Sequence, residues 1–271
     1  MKYNIMNELR EIYHVPELIM GYLDGLNYKV DDIGKSNSNI FIFDDYILKI
    51  STLSFDIENE IRVYNSLKDK LPIPDIIAYE VIDGRVYILK SKLKGKMLCD
   101  DSYLSNPKLL FKLASDAVKL LWKVDVKKLD LQNTYDTIMD FGKKCLKEKT
   151  IDFDNSDKTI TFKFKNFDEI VDYLENNKPQ EDYVLSHSDL CLTNIIVEND
   201  EVVGFIDLGL TGISHRYHDL AILYRSIKYN MEGRYGKSYD GFEENALFDL
   251  LGIEKDDKLI EYYLLVDELL G

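Results

Sequence analysis

Between residues 186 and 209 the chain reads SHSDLCLTNIIVENDEVVGFIDLG. Three short apolar runs in and just before this stretch, YVL, NIIV and VVGFI, have the length and residue types of buried strands, and END at 198–200 supplies a hairpin turn. Polar residues stand at fixed places beside these runs. His187, Asp189 and Asn194 form H-x-D-x-x-x-x-N, and Asp207 follows Asn194 by thirteen residues in I-D-L-G. A stable fold normally keeps positions beside buried strands apolar or pairs their charge, because an unpaired buried carboxylate is costly. Asp, Asn and His near a hairpin can also serve merely as turns and caps. Four of them at this spacing, set among apolar runs, point instead to chemistry.

Asp-x4-Asn, then a strand, a hairpin and Asp-x-Gly, is the layout of a kinase catalytic loop and its metal-binding aspartate. Phosphoryl transfer needs few protein groups. One carboxylate must orient and deprotonate the acceptor hydroxyl, a role that suits Asp189. Oxygen ligands must hold Mg2+ against the phosphates, a role that suits Asn194 and Asp207.

The rest of the chain permits such an enzyme. Its 271 residues, 45% of them apolar, suffice for one large domain or two small ones. No window approaches a membrane helix, and the N-terminus MKYNIMNELREIYH lacks the apolar core of a signal peptide. Cys99, Cys145 and Cys191 are scattered and odd in number, so the expectation is a reduced cytoplasmic protein with neither a disulfide framework nor a zinc site. The net charge is −15: 12 basic against 15 acidic groups up to residue 94, and 22 against 34 after it. Nucleic acid is thereby disfavoured as a partner, since phosphate backbones need a basic face. An acidic C-terminal part can steer a cationic small molecule, although generic solubility accounts for it as well.

Hydrophobic periodicity divides the chain in two. Helices are expected at 5–14 and 16–25, a strand pair at 40–43 and 46–50, an amphipathic helix at 56–68, and a second strand pair at 76–81 and 86–90 joined by Asp83-Gly84. Helical patterns then cover 107–124, 134–146, 166–176, 216–230, 241–251 and 256–269, interrupted by the hairpin at 195–207. The fold class is α+β, with an N-terminal nucleotide-binding lobe at 1–94, a hinge near 91–94, and a catalytic and substrate-binding lobe at 95–271.

Kinases place a strand lysine on the α/β-phosphates and orient it with a helix glutamate. Lys49 ends the run YILK and fits the first role. Glu60 on the following helix fits the second. Glu58 lies close enough in sequence to compete, and only one of the two can face the lysine. A glycine-rich phosphate loop is missing. Residues 34–39, GKSNSN, occupy its place, and their amides and hydroxyls can cap a phosphate or simply form a polar turn. Ser91 and Leu93 sit where a nucleotide base meets main-chain groups of the hinge.

These residues suggest a family. SHSDLCLTNIIV, GFIDLGLTG, YHDLAILYRSI, ALFDLLGI and the terminal YYLLVDELLG resemble the aminoglycoside 3′-O-phosphotransferases, antibiotic-resistance kinases with a protein-kinase-like fold. The likeness runs over nearly the whole chain and is densest from about residue 183 onward. It implies Asp189 as catalytic base, Asn194 and Asp207 as Mg2+ ligands, and Lys49 with Glu60 as the phosphate-binding ion pair. It further implies Asp219 as a buried brace of the catalytic loop, His187 as a structural histidine, and Asp267 and Glu268 as acids that meet the drug's ammonium groups. The family's motif has glycine where Ser188 stands, and a cationic residue commonly stands where Leu210 does. The stretch 154–161 is mixed in charge where well-known members are strongly acidic, and 231–240, MEGRYGKSYD, is an extra segment.

The resulting expectation is a small-molecule kinase that transfers the γ-phosphoryl group of ATP or GTP, with Mg2+, to a hydroxyl of an aminoglycoside, acting as a monomer or weak dimer. Two alternatives stand beside it: a kinase of another small alcohol, such as choline, a sugar, a homoserine-like compound or a macrolide, and a nucleotide-binding module without catalysis.

Overall fold

The computed structural model describes residues 5–30, 38–132 and 134–270, with side chains from residue 8. The first four residues of the polar stretch at 34–39 lie outside the described residues. By its internal packing the chain forms two compact units. The first holds the described residues up to Lys94 together with Gly204–Gly209, and the second holds the remainder.

The first unit is an antiparallel sheet with helices on its two faces. α1 (Ile5–Glu11) and α2 (Glu17–Leu23) precede β1 (Lys29–Val30), β2 (Asn39–Ile42) and β3 (Tyr46–Thr52); α3 (Phe55–Leu67), β4 (Ile76–Ile82) and β5 (Arg85–Ser91) follow. The strand order is β1-β2-β3-β5-β4. Both faces are covered, so the inner strands read as continuous apolar runs and alternation decides which side chain meets which helix. Leu48, Ile50, Tyr87 and Leu89 pack with Phe41, Phe43 and residues of α1 and α2 such as Leu9, Ile19 and Met20. Val86 and Ile88 point the other way, onto Ile57 of α3. Asp83 and Gly84 both have positive φ (51° and 77°), the backbone of a tight two-residue hairpin, as Asp-Gly predicts.

The second unit begins with β6 (Lys96–Met97), α4 (Asp101–Leu104), α5 (Pro107–Trp122), α6 (Thr134–Glu148), α7 (Lys158–Thr161) and α8 (Phe167–Asn176). β7 (Tyr183–Ser186), β8 (Ile195–Glu198), β9 (Glu201–Phe205) and β10 (Gly212–His215) come next, then α9 (Tyr217–Met231), α10 (Ala246–Leu251) and α11 (Asp257–Asp267). α5 starts in the expected way: Asn106 Oδ1 accepts from Leu109 N, and Pro107 occupies the first turn. α9 supplies the centre of the core, with Leu220, Ala221, Ile222, Leu223 and Ile227 fully buried. The β8–β9 turn is built by Asn199 and Asp200, both at positive φ (52° and 60°). β7 pairs antiparallel with β10, Ser186 opposite Gly212, and β8 sits between β6 and β9.

Three features depart from expectation. The helix expected at 241–251 begins only at Ala246, and Gly241, with a positive φ of 87°, lies outside a helical path. The strands β6 and β10 are short and carry little alternation, so periodicity passes over them. Within the sequence of the second half, Gly204–Gly209 packs with the first unit. Phe205 N donates to Pro72 O at 3.1 Å, and Asn59 Nδ2 donates to Gly209 O at 2.9 Å. A Cβ at Gly204 would stand 2.7 Å from Pro72 O, so this close approach requires glycine. Among the described residues no helix is long and apolar enough to cross a membrane.

Candidate active site

In the first unit the sheet register builds a charged cluster on the α3 face. Lys49 of β3 stands opposite Ile88 of β5, so its side chain emerges beside the apolar residues that face α3. There its Nζ donates to Glu60 Oε2 at 2.8 Å. Glu60 is fully buried, while Glu58 is exposed; the helical phase of α3 settles the choice that sequence left open. A second lysine shares the carboxylate: Lys90 Nζ donates to Glu60 Oε1 at 2.7 Å. Burial alone would raise the Glu60 carboxyl, but the ammonium groups of Lys90 and Lys49 outweigh it and bring it down to about 2. Burial also opposes the charge on Lys90, yet Glu60, then Tyr64 and Asp207, hold its ammonium above the ordinary range.

Asp207 is exposed, in the turn that follows β9, with φ 58°. Left-handed backbone is tolerated by aspartate better than by most residues, and it fixes how the D-L-G turn presents its carboxylate. Ser91 ends β5 with its hydroxyl committed, since Oγ accepts from Asp75 N at 2.8 Å. Leu93 is half-buried and lies against Gly204. Ser91 N and Lys92 N are themselves committed, to Asp75 O at 2.9 Å and Asp45 O at 2.8 Å, so in this stretch the main chain at Leu93 is what remains for a base.

In the second unit the loop from His187 to Asn194 connects β7 to β8. It is held from α9. The Asp219 carboxylate, almost completely buried, accepts the main-chain N–H of His187 at 2.9 Å and of Ser188 at 2.8 Å. Burial raises the Asp219 carboxyl above its ordinary value, against the opposing pull of the His187 side chain and these amides. Ser226, about two turns further along the same face of α9, accepts Leu192 N through its Oγ at 3.0 Å. His187 is fully buried and its carbonyl accepts from Thr211 Oγ1 at 3.3 Å. Ser188 has φ 65°, a conformation that favours glycine, and its hydroxyl lies 3.0 Å from Ser186 Oγ. Asp189 and Asn194 meet at the loop's mouth: Asn194 Nδ2 donates to Asp189 O at 2.9 Å and to Asp189 Oδ2 at 3.0 Å. With its amide nitrogen so used, Asn194 retains its carbonyl oxygen as the atom suited to a hard cation. Asp207 in the first unit and Asn194 in the second each carry an oxygen of a type that Mg2+ takes.

The C-terminal acids are engaged internally. Arg225 of α9 pairs with Asp267 at 2.5 Å and lies 3.8 Å from Glu268 Oε1. Glu268 Oε2 accepts Asp157 N at 2.9 Å, and Asp157 in turn accepts from Tyr229 OH at 2.6 Å and pairs with Arg234 at 3.4 Å. The mixed 154–161 stretch and the 231–240 segment are therefore tied together through Asp157. Sequence reading missed the contacts of Asp157, and it missed Lys90. Lys90 had a signal: in RVYILKS it shares one strand face with Val86 and Ile88 and ends the run VYIL, which is otherwise wholly apolar.

The chain matches the model of the phosphotransferase enzyme family over residues 27–248. It is 32% identical over 245 residues to an aminoglycoside 3′-phosphotransferase of Enterococcus faecalis, covering 89% of each protein. In fold it is similar to an aminoglycoside phosphotransferase from Streptomyces rimosus, with a TM-score of 0.76 at 20% identity over 96% of this chain and 98% of the other. The same enzyme in complex with ADP and streptomycin gives a TM-score of 0.71 at 18% identity, over 97% and 98% of the two chains. The fold is the protein-kinase-like one of these enzymes. With the match extending over most of its length, the chain belongs to the phosphotransferase enzyme family.

Proposed function

We propose that this protein is an aminoglycoside kinase that moves the γ-phosphoryl group of ATP or GTP to the 3′-hydroxyl of its substrate and thereby confers resistance. The observation that carries the reading is the Asp189–Asn194 pair on a loop braced by Asp219, in a chain related over 89% of its length to an aminoglycoside 3′-phosphotransferase. Lys49, fixed by Glu60, holds the donor's phosphates, and main-chain groups around Ser91 and Leu93 hold the base. Asn194 and Asp207 hold Mg2+, which when bound offsets charge on the phosphates.

Asp189 orients the acceptor hydroxyl and takes its proton. The hydroxyl oxygen forms a bond to the γ-phosphorus as the bond from that phosphorus to the β,γ-bridging oxygen breaks. The bridging oxygen keeps the electron pair and leaves as nucleoside diphosphate, and Asp189 later returns its proton to water. Most of the rate gain comes from positioning and electrostatics rather than from the strength of the base. The acidic balance of the second half favours a polycationic acceptor. The decisive experiment is a panel of aminoglycosides and uncharged alcohols in an assay coupled to ADP or GDP release, with products mapped by NMR. Phosphorylation at the 3′-position is expected. Turnover of an uncharged alcohol alone would move the protein to another small-molecule kinase class.

A further inference from the structure

Two ammonium groups share one buried carboxylate in this protein. Lys49 is opposite Ile88 and Lys90 is opposite Ile47, so the two lysines are diagonal neighbours on adjacent strands and emerge on the same face. Glu60 accepts from both, one oxygen each, at 2.8 and 2.7 Å. The ring of Tyr64 lies 5.4 Å from Lys90 Nζ, where its face favours a cation. The Lys49–Glu60 pair alone is neutral, and the third member gives the group a net charge of +1. The negative charge of Asp207 also favours the Lys90 ammonium, and a cation bound at Asp207 leaves the lysines' excess charge to other anions. Packing does not ask for this arrangement. Val86 and Ile88 precede Lys90 on the same face, and an apolar residue in such a place is generally at least as stable as a buried ion. A second desolvated lysine is accounted for by an anion that approaches the pair.

We propose that Lys90 is a positioning residue of the phosphoryl-donor site. It occupies Glu60 Oε1, so that Lys49 is held by the other oxygen alone and stays extended toward the phosphates, and it supplies the net positive charge that selects a polyphosphate. The inference rests on the nucleotide reading given above.

The test is calorimetric titration of the whole protein with ADP, GDP and adenosine, without acceptor, for the wild type, Lys90→Met and Lys90→Arg. Lys90→Met is expected to weaken diphosphate binding about tenfold, as loss of a charged contact does, and to leave adenosine binding unchanged. Lys90→Arg should recover most of the loss. Should Lys90→Met fail to fold, Lys90→Gln removes the charge while keeping a donor for Glu60 and carries the same expectation. Equal diphosphate affinity in wild type and the neutral variant overturns the proposal. So does an equal loss for diphosphate and adenosine, the mark of a merely structural role. A wild-type protein that binds neither ADP nor GDP overturns the nucleotide reading itself, which the variants alone cannot do.

Discussion

Asn194 grips Asp189 twice, through the main-chain oxygen and through the carboxylate, at 2.9 and 3.0 Å. The proposed base is thus locked by the residue proposed to hold the cation, and the two proposed functions of the loop depend on one amide group. Asn194→Asp replaces a donor by an acceptor and sets two carboxylates against each other at hydrogen-bond distance. Like charges so close cannot both ionise freely. Turnover should fall about 10²-fold or more, the usual span of general-base catalysis, with metal-free nucleotide binding unchanged. Steady-state kinetics beside calorimetry checks this, and a variant within a few-fold of wild type would show that Asp189 needs no such anchor.

Asp189→Asn removes the proposed base and keeps the shape. The main-chain bond from Asn194 to residue 189 survives, so the loop should hold its path. Turnover is expected to drop about 10²-fold or more while Mg-nucleotide affinity stays the same. Near-normal turnover in a folded Asp189→Asn protein would take Asp189 out of the mechanism.

The Glu60 cluster makes an acid-labile element. Its carboxyl sits at about 2 in the folded protein against an ordinary 4.5, so the folded state binds fewer protons than the unfolded one. The resulting stability is whole above about pH 4.5, shrinks as pH falls toward 2 and is gone below that, a contribution of a few kcal/mol at order of magnitude. Glu60→Gln leaves the buried Lys90 and the half-buried Lys49 without their shared carboxylate and should cost roughly 3–5 kcal/mol at pH 7. Denaturation from pH 7 to 3 should show the gap between variant and wild type narrowing below pH 4.5. A gap that stays constant to pH 3 would mean that Glu60 is not the titrating group.

Ser188 stands where the resembled motif has glycine, and its φ of 65° explains why glycine suits the place. The serine retains both Asp219's acceptance of its N–H and a hydroxyl contact to Ser186. Ser188→Gly relieves the left-handed strain of about 1 kcal/mol but loses that contact, so stability should shift by no more than about 1 kcal/mol and activity should persist. Ser188→Val, β-branched and unable to make the contact, should be destabilised by roughly 2 kcal/mol or more. Thermal denaturation with kinetics on each variant distinguishes backbone fit from a chemical role for the hydroxyl.

What could be read in the sequence was whatever repeats along it. Apolar runs and helical phase located β3, β5, α3, α5 and α9 to within a few residues, and the spacing of Asp189, Asn194 and Asp207 named the reaction class. What could not be read was contact between distant segments. Lys90 and Lys49 converge only because β3 and β5 pair in one register, and a slip of one residue would send Lys90 to the opposite face. Asp157 meets Glu268 across 111 residues of sequence, with no local pattern to announce it.

That last contact shapes the substrate prediction. Glu268 is expected to meet an ammonium group of the acceptor, yet one of its oxygens accepts Asp157 N and the other lies 3.8 Å from Arg225. Its neighbour Asp267 is held more tightly by the same guanidinium, at 2.5 Å. The two acids should therefore behave differently. Glu268→Gln keeps an acceptor for Asp157 N and removes only charge, so stability should change by less than about 1 kcal/mol. If the carboxylate faces the drug, KM for an aminoglycoside should rise about tenfold, with nucleotide KM unmoved and a steeper loss at high salt in the wild type than in the variant. Asp267→Asn deprives a largely buried Arg225 of its closest counter-charge and should lower thermal stability first, by roughly 1–3 kcal/mol, with KM following the loosened α9–α11 packing. An unchanged KM in Glu268→Gln, for every aminoglycoside that the protein phosphorylates, would make Glu268 an internal brace of Asp157 and move cation recognition to another part of the acidic second unit.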